Sequence, residues 1–220
     1  MPPATPEAEP NDATPFLPDR ASLKALREAA AGCRGCHLWR RASQTVFGEG
    51  KRDAKVMMIG EQPGDQEDRQ GRPFVGPAGR ELDRALEAVG IVRAEVYVTN
   101  VVKHFKFEER GRRRIHQTPK RFEIEACEPW LREELQLVRP HAVVLLGATA
   151  AKAMMGSSFR LTRERGRPLE SDLAPIVIAT VHPSSILRAP DEESRDLARQ
   201  EFTEDLRAVT RALAADGRGG

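Results

Sequence analysis

Four short, unbroken apolar runs constrain this chain more than any other feature: Lys55-Val-Met-Met-Ile-Gly60, Val96-Tyr-Val-Thr-Asn100, Ala142-Val-Val-Leu-Leu-Gly147 and Pro175-Ile-Val-Ile-Ala-Thr-Val181. They do not alternate apolar with polar residues, so they do not suit a sheet with one wet face. Runs of this kind are strands buried on both sides, as in a parallel sheet covered by helices. The intervening segments read as helices: residues 78–89 ended by Gly90, residues 121–138 stopped before Pro140, a short one at 148–155, and a closing amphipathic helix at 192–213. Asp19 or Ser22 can cap a further helix over residues 23–31, and residues 163–170 form a turn around Gly166. The expected fold is α/β, three layers, around a central, mostly parallel four-stranded sheet.

With 220 residues, 40% hydrophobic and 31% charged, the chain can bury one sizeable core. A single domain is expected over residues 19–214, between a disordered Pro-, Ala- and Glu-rich tail at 1–18 and a flexible tail at 215–220. No apolar run is long enough to span a membrane and no basic-then-apolar leader is present, so a cytoplasmic monomer with no membrane partner is expected.

The formal net charge of +2 does not by itself argue for nucleic acid, but its distribution does. Lys103, Lys106, Arg110, Arg112, Arg113, Arg114, Lys120 and Arg121 crowd one segment, opposed there only by Glu108 and Glu109. A patch of this kind steers a polyanion. Within it, Gly111–His116 is a glycine-hinged cluster of arginines ending in a histidine, expected as a surface loop that either is simply solvated or faces something anionic.

Ligands of such sheets collect beyond the carboxyl ends of the strands. Those ends carry Glu61-Gln62-Pro63-Gly64, then Asn100, then Gly147-Ala148-Thr149, then His182-Pro183-Ser184. The first opens a loop running through Asp65 and Phe74 to Gly79, and no Lys-Ser/Thr follows its glycines, which argues against a nucleotide-hydrolase phosphate loop. Singly, each residue has a bland reading: a connecting loop, a strand-end amide, a structural histidine, a core phenylalanine. Together they put acid, amide and imidazole groups on one rim. Cys33-Arg-Gly-Cys36, Cys127 and His104 make a four-ligand set for an iron–sulfur centre or for zinc, with a reduced thiol pair as the alternative for the first two.

In this order the motifs resemble the uracil-DNA glycosylase superfamily, specifically its iron–sulfur, family-four branch. The matching residues are Cys33-x-x-Cys36, Gly60-Glu-Gln-Pro-Gly64, Gly71-Arg-Pro-Phe-Val-Gly76, Val98-Thr-Asn100, Cys127 and Val181-His-Pro-Ser184. Two departures, His104 in place of a cysteine and the arginine loop ending in histidine, resemble the UdgX type, which becomes covalently trapped on the uracil site it opens. That loop reads Lys-Arg-Arg-Ile-His in the group and Arg112-Arg-Arg-Ile-His116 here.

The resemblance implies uracil-containing DNA, single- or double-stranded, as partner. It implies that Phe74 stacks on a flipped-out uracil, that Asn100 bonds its pyrimidine edge, and that His182 contacts O2. Gln62, Gly64 and Asp65 would line the same pocket, and Glu61 would favour the oxocarbenium ion. Arg112, Arg113, Arg114, Ser184 and Ser185 would contact DNA, and His116 would attack C1′. Cys33, Cys36, His104 and Cys127 would hold a four-iron four-sulfur cluster, with zinc as the less favoured alternative.

Overall fold

The computed structural model describes residues 12–217. Among these the strands are β1 (Val56–Gly60), β2 (Val96–Asn100), β3 (Phe107–Arg110), β4 (Arg113–His116), β5 (Ala142–Leu146) and β6 (Ile176–Thr180). The helices are α1 (Leu23–Ala30), α2 (Asp65–Gln70), α3 (Pro77–Ala88), α4 (Arg121–Val138), α5 (Ala148–Met155), α6 (Leu161–Glu164), α7 (Ser184–Leu187) and α8 (Glu192–Ala215). The four apolar runs form one parallel sheet in the order β2-β1-β5-β6, and β3 pairs with β4 in a separate antiparallel hairpin.

Every residue of the four sheet strands is buried, as their unbroken apolarity requires. The pleat divides them between two cores. Met57, Ile59, Tyr97, Val143, Leu145 and Val177 pack with α1, α4 and α5. Val56, Met58, Val98, Val144, Leu146 and Ile178 pack with α3, α7 and α8. The fold is therefore three-layered α/β/α. The chain leaves β1 for β2 on one side and continues from β5 to β6 on the other, so the topological switch point lies between β1 and β5. A ligand crevice is expected beyond their carboxyl ends.

Three expectations need correction. The tail expected at 1–18 falls outside the described residues only for 1–11; Ala13 is 1% exposed and its N–H donates to the Ala126 carbonyl at 2.9 Å. It packs where Gly35 has no side chain, since a Cβ there would come within 2.9 Å of Ala13 Cα. Polar, proline-rich composition concealed one small residue that docks. At the other end Asp216 lies 2.5 Å from His141 Nε2, so the tail expected to be flexible at 215–220 is held at that residue, and 218–220 fall outside the described residues.

The third correction concerns the basic patch. Lys103 is buried at 1% exposure, where its ammonium donates to Glu134 Oε2 (2.5 Å), Thr99 Oγ1 (2.7 Å) and the Asn100 carbonyl (2.8 Å). Glu134 in turn accepts from Gly48 N, Tyr97 Oη and Thr99 Oγ1. A buried ion pair survives only when its remaining polar capacity is filled, which is the case here. Lys106 is likewise committed, to Glu123 at 2.8 Å. The outward cations of the segment are fewer than the sequence suggests.

Candidate active site

The crevice beyond β1 and β5 is a cavity of about 910 Å³ lined by residues that include Glu61, Gln62, Phe74, Asn100, His116, Thr149 and His182. Strand register brings the first of these together: Gly60 pairs with Asn100 across β1 and β2. A Cβ on Gly60 would meet Asn100 Oδ1 at 2.4 Å and the Phe74 ring at 2.8 Å, so only glycine lets both close on the cavity. Asn100 is 2% exposed, and its Oδ1 is buried without a partner among the described residues. An orphaned buried acceptor facing a cavity is suited to a ligand N–H.

Phe74 adopts φ 57°, a left-handed conformation that a bulky residue enters only when its surroundings impose it. Gly79 belongs to that imposition, because a Cβ there would collide with the Phe74 carbonyl at 1.8 Å. The result is a Phe74 ring stacked with His182, centroids 6.1 Å apart and planes 30° from parallel. A planar heterocycle entering the cavity meets this ring and the Asn100 amide together.

His182 is held by its neighbours. Ser184 N–H donates to Nδ1 (3.2 Å) and Ser184 Oγ lies 2.8 Å from the same nitrogen, which assigns the ring proton to Nε2. Burial pushes its pKa down to about 4, against the opposing pull of Glu61. The ring is thus neutral at physiological pH and offers an N–H. Ser184 Oγ also accepts from Arg188 and Ser185 Oγ donates to the His182 carbonyl, so both hydroxyls are spent within the protein.

This burial has a consequence for stability. The unfolded imidazole takes a proton near 6.5, whereas the folded one refuses it until about 4. The contribution is fully present above the unfolded value and is lost as pH falls from 6.5 towards 4. Between pH 7 and 5, wild type is expected to lose up to about 2 kcal/mol more stability than His182→Gln, read from denaturant midpoints. Equal losses in the two proteins would refute the assignment.

Glu61 is ionised. Burial alone would raise its pKa, but interactions with His116 and Thr149 outweigh that and lower it. His116 Nε2 lies 3.2 Å from Glu61 Oε1, in contact without the alignment of a full hydrogen bond.

The arginine segment expected as a loop is the β3–β4 hairpin, turning at Gly111 (φ 61°). Its strands lack an apolar alternation, so no periodicity betrayed them. In a strand, residues two apart share a face. Arg114 and His116 therefore point the same way, towards the body of the protein. Arg114 reaches Asp65 Oδ1 (2.5 Å) and Asp68 Oδ2 (2.6 Å), and its guanidinium covers the rings of Phe105 (5.4 Å) and Phe107 (4.9 Å). Arg112 and Arg113 are exposed, whereas Arg114 has only 13% of its side chain exposed. The anion that Arg114 faces is the protein's own.

The remaining expected pocket residues divide between side chain and backbone. Gln62 spends its side chain inside the protein, donating to the carbonyls of Lys106 (3.2 Å) and Gln117 (3.0 Å) and accepting from Lys106 N (2.9 Å). It ties both strands of the hairpin to the rim. Asp65 lines the cavity, but its carboxylate is taken by Arg69 and Arg114. Gly64 lines it with backbone. Sequence reasoning missed Leu187, 39% exposed at the mouth, and the contribution of Thr149 to Glu61. An exposed leucine in a short helix after His-Pro-Ser-Ser was the available signal for the first.

Cys33, Cys36 and Cys127 are all buried, and none of them is in a disulfide. Trp130 Nε1 donates to Cys33 Sγ (3.3 Å), as does Gly35 N (3.5 Å), and Lys103 N donates to Cys127 Sγ (3.3 Å). N–H groups aimed at sulfur suit thiolates that carry metal charge. His104 is buried with Nε2 at 2.9 Å from Thr45 Oγ1, and among the described residues Nδ1 has no hydrogen-bond partner. Among the described residues no three His, Cys, Asp or Glu side chains are grouped as a site for a single metal ion.

A cavity with a stacking ring, an orphaned amide, a neutral imidazole and a carboxylate is built for a planar, hydrogen-bonding heterocycle and for charge separation beside it. Comparisons with known proteins specify the class further. A profile of the Uracil DNA glycosylase superfamily matches residues 47–207. A type-4 uracil-DNA glycosylase of Pyrobaculum aerophilum is 36% identical over 191 residues, 84% of this chain and 91% of that protein. Those of Thermotoga maritima (35% over 181 residues; 82% and 91%) and Saccharolobus solfataricus (32% over 202 residues; 88% and 88%) are similar throughout. The chain belongs to the uracil-DNA glycosylase superfamily.

Proposed function

We propose that this protein excises uracil from DNA and captures the opened sugar covalently through His116, in the manner of the UdgX type. The excision half is supported by the family, by similarity to the type-4 enzymes and by the cavity. A uracil flipped from the strand stacks on Phe74 and gives its N3–H to Asn100 Oδ1, which cytosine, with an acceptor at N3, does not match. His182 Nε2–H meets O2, where negative charge grows as the N1–C1′ bond breaks. Glu61 stabilises the cationic sugar, and Leu187 at the mouth fills space left in the strand.

The covalent half rests on one observation: His116 Nε2 sits at the cavity mouth, 3.2 Å from the carboxylate that would stabilise the cation. Uracil leaves with the glycosidic electron pair and takes up a proton. The Nε2 lone pair closes on C1′, and the resulting imidazolium loses its Nδ1 proton to solvent. No water enters, so no free abasic site forms and the protein is spent in one turnover.

Cys33, Cys36, Cys127 and Nδ1 of His104 would hold a four-iron four-sulfur cluster, which when bound supplies a rigid crosslink between residues 33–36 and α4.

The test mixes protein with uracil- or thymine-containing oligonucleotide and resolves the products in SDS. A band with uracil only, mapping to His116 by peptide mass, is expected. Free uracil with a free abasic strand would reduce the reading to an ordinary hydrolytic glycosylase, and binding without release would make the protein a sensor.

Two arginines separate positioning from phosphate contact. Arg114→Ala is expected to slow adduct formation at least tenfold, because it frees the hairpin that presents His116, while the salt dependence of DNA binding stays as in wild type. Arg112→Ala should instead lower the log–log salt slope by about 0.7–0.9, one released counterion, with adduct formation preserved at saturating DNA. The same outcome for both variants would remove the distinction.

A further inference from the structure

We infer that His37 and Phe122 form a stacking platform on the rim beside the pocket, for an unpaired base of the strand that flanks the target nucleotide. The inference rests on the DNA substrate proposed above and adds the form in which that strand is held.

Phe122 stands in the first turn of α4 and is 39% exposed, one of four large hydrophobic side chains so exposed among the described residues. The inward side of the same turn is taken by Glu123, so Phe122 adds nothing to the core. Its ring packs against His37, centroids 5.9 Å apart and planes 31° from parallel, and 48% of the His37 side chain is exposed. Two partly exposed aromatic rings, tilted 31° to each other and outside the core, offer ring surface to solvent.

The platform belongs to the same rim as the cavity. Gln62 accepts from Lys106 N, the Lys106 ammonium reaches Glu123 Oε2 at 2.8 Å, and Glu123 Oε1 faces His37 Nε2 at 3.3 Å. Two side chains thus separate the cavity wall from the His37 ring. The backbone gives the same order: His116 at the mouth, Thr118 in the cavity wall, and Phe122 six residues beyond His116. Six residues reach roughly 20 Å at most, a span of a few nucleotides.

Charge complements the rings. Lys120 is exposed between Thr118 and Phe122, and Arg112 and Arg113 project from the hairpin. Cations tracking a backbone, with aromatic faces between them, are how proteins hold single strands without reading sequence. A duplex stacks its flanking bases on each other and leaves none for such a surface, so the platform favours unpaired DNA.

The test measures affinity of the full chain for single-stranded oligonucleotides centred on a non-cleavable 2′-fluorodeoxyuridine, shortened stepwise from either end, and for the same sequence as duplex. Wild type is expected to lose about tenfold in affinity when nucleotides are removed on one side only. The double variant His37→Ala/Phe122→Ala should show that tenfold loss on the full-length single strand, become insensitive to the shortening, and change less than threefold on duplex. Phe122→Tyr should retain wild-type binding. Unchanged single-strand affinity in the double variant, or equal losses on single strand and duplex, would overturn the platform. Failure of the uracil reading is separate: it would appear as equal affinity for thymidine-centred strands, with the response to the double variant still measurable.

Discussion

His116→Ser is expected to abolish the SDS-resistant complex and to leave uracil release in place, now with a free abasic strand and multiple turnovers. The sugar cation formed beside Glu61 reacts with whichever nucleophile stands nearest. In wild type the proposed occupant of that place is the imidazole, which lies on the inward face of β4 at 3.2 Å from Glu61. Serine is too short to reach C1′ from the same backbone and leaves a gap that water fills. Glu61, relieved of its histidine neighbour, can orient that water. The band should fall at least a hundredfold while the initial rate of uracil release changes by less than tenfold. A persisting band would place the nucleophile elsewhere, and loss of both products would give His116 a part in excision itself.

Glu61→Gln should have the opposite pattern, with uracil release and adduct formation falling together by about 10²–10³. The amide keeps the size and can still meet Thr149, but it no longer carries the charge that opposes the cationic sugar. The wild-type carboxylate is held ionised despite its burial, so the substitution removes a full negative charge from a largely buried position. Affinity for a uracil strand should be kept, because base recognition is proposed to lie with Phe74, Asn100 and His182. The check is single-turnover kinetics at saturating protein beside equilibrium binding. Normal excision in the variant would transfer the electrostatic role to another group, and a proportional loss of affinity would make Glu61 a binding residue.

These two variants separate bond breaking from capture, and the separation depends on geometry that the sequence conveyed unevenly. The sheet was readable because fully apolar strands need burial on both faces whatever surrounds them. The rim was readable because strand ends fix where Glu61, Asn100 and His182 must emerge. The hairpin was not: Phe107-Glu-Glu-Arg110 and Arg113-Arg-Ile-His116 carry no apolar alternation, and their pairing is stabilised by contacts with Gln62, Asp65 and Asp68 far away in sequence. Lys103 misled for a related reason. A lysine is normally exposed, and only its partner Glu134, on α4, permits its burial.

By itself, then, the sequence determined the layer architecture, the rim and the cysteine motif, since each follows from local composition or short spacing. The tertiary structure alone decided what the three adjacent arginines do. They are chemically identical, and any of them can hold a phosphate. Strand parity turns Arg114 inward with His116, and Asp65 and Asp68, on a helix 49 and 46 residues earlier in the chain, neutralise it there. That fixed face brings His116 to the carboxylate, with 49% of its side chain still open to the cavity mouth.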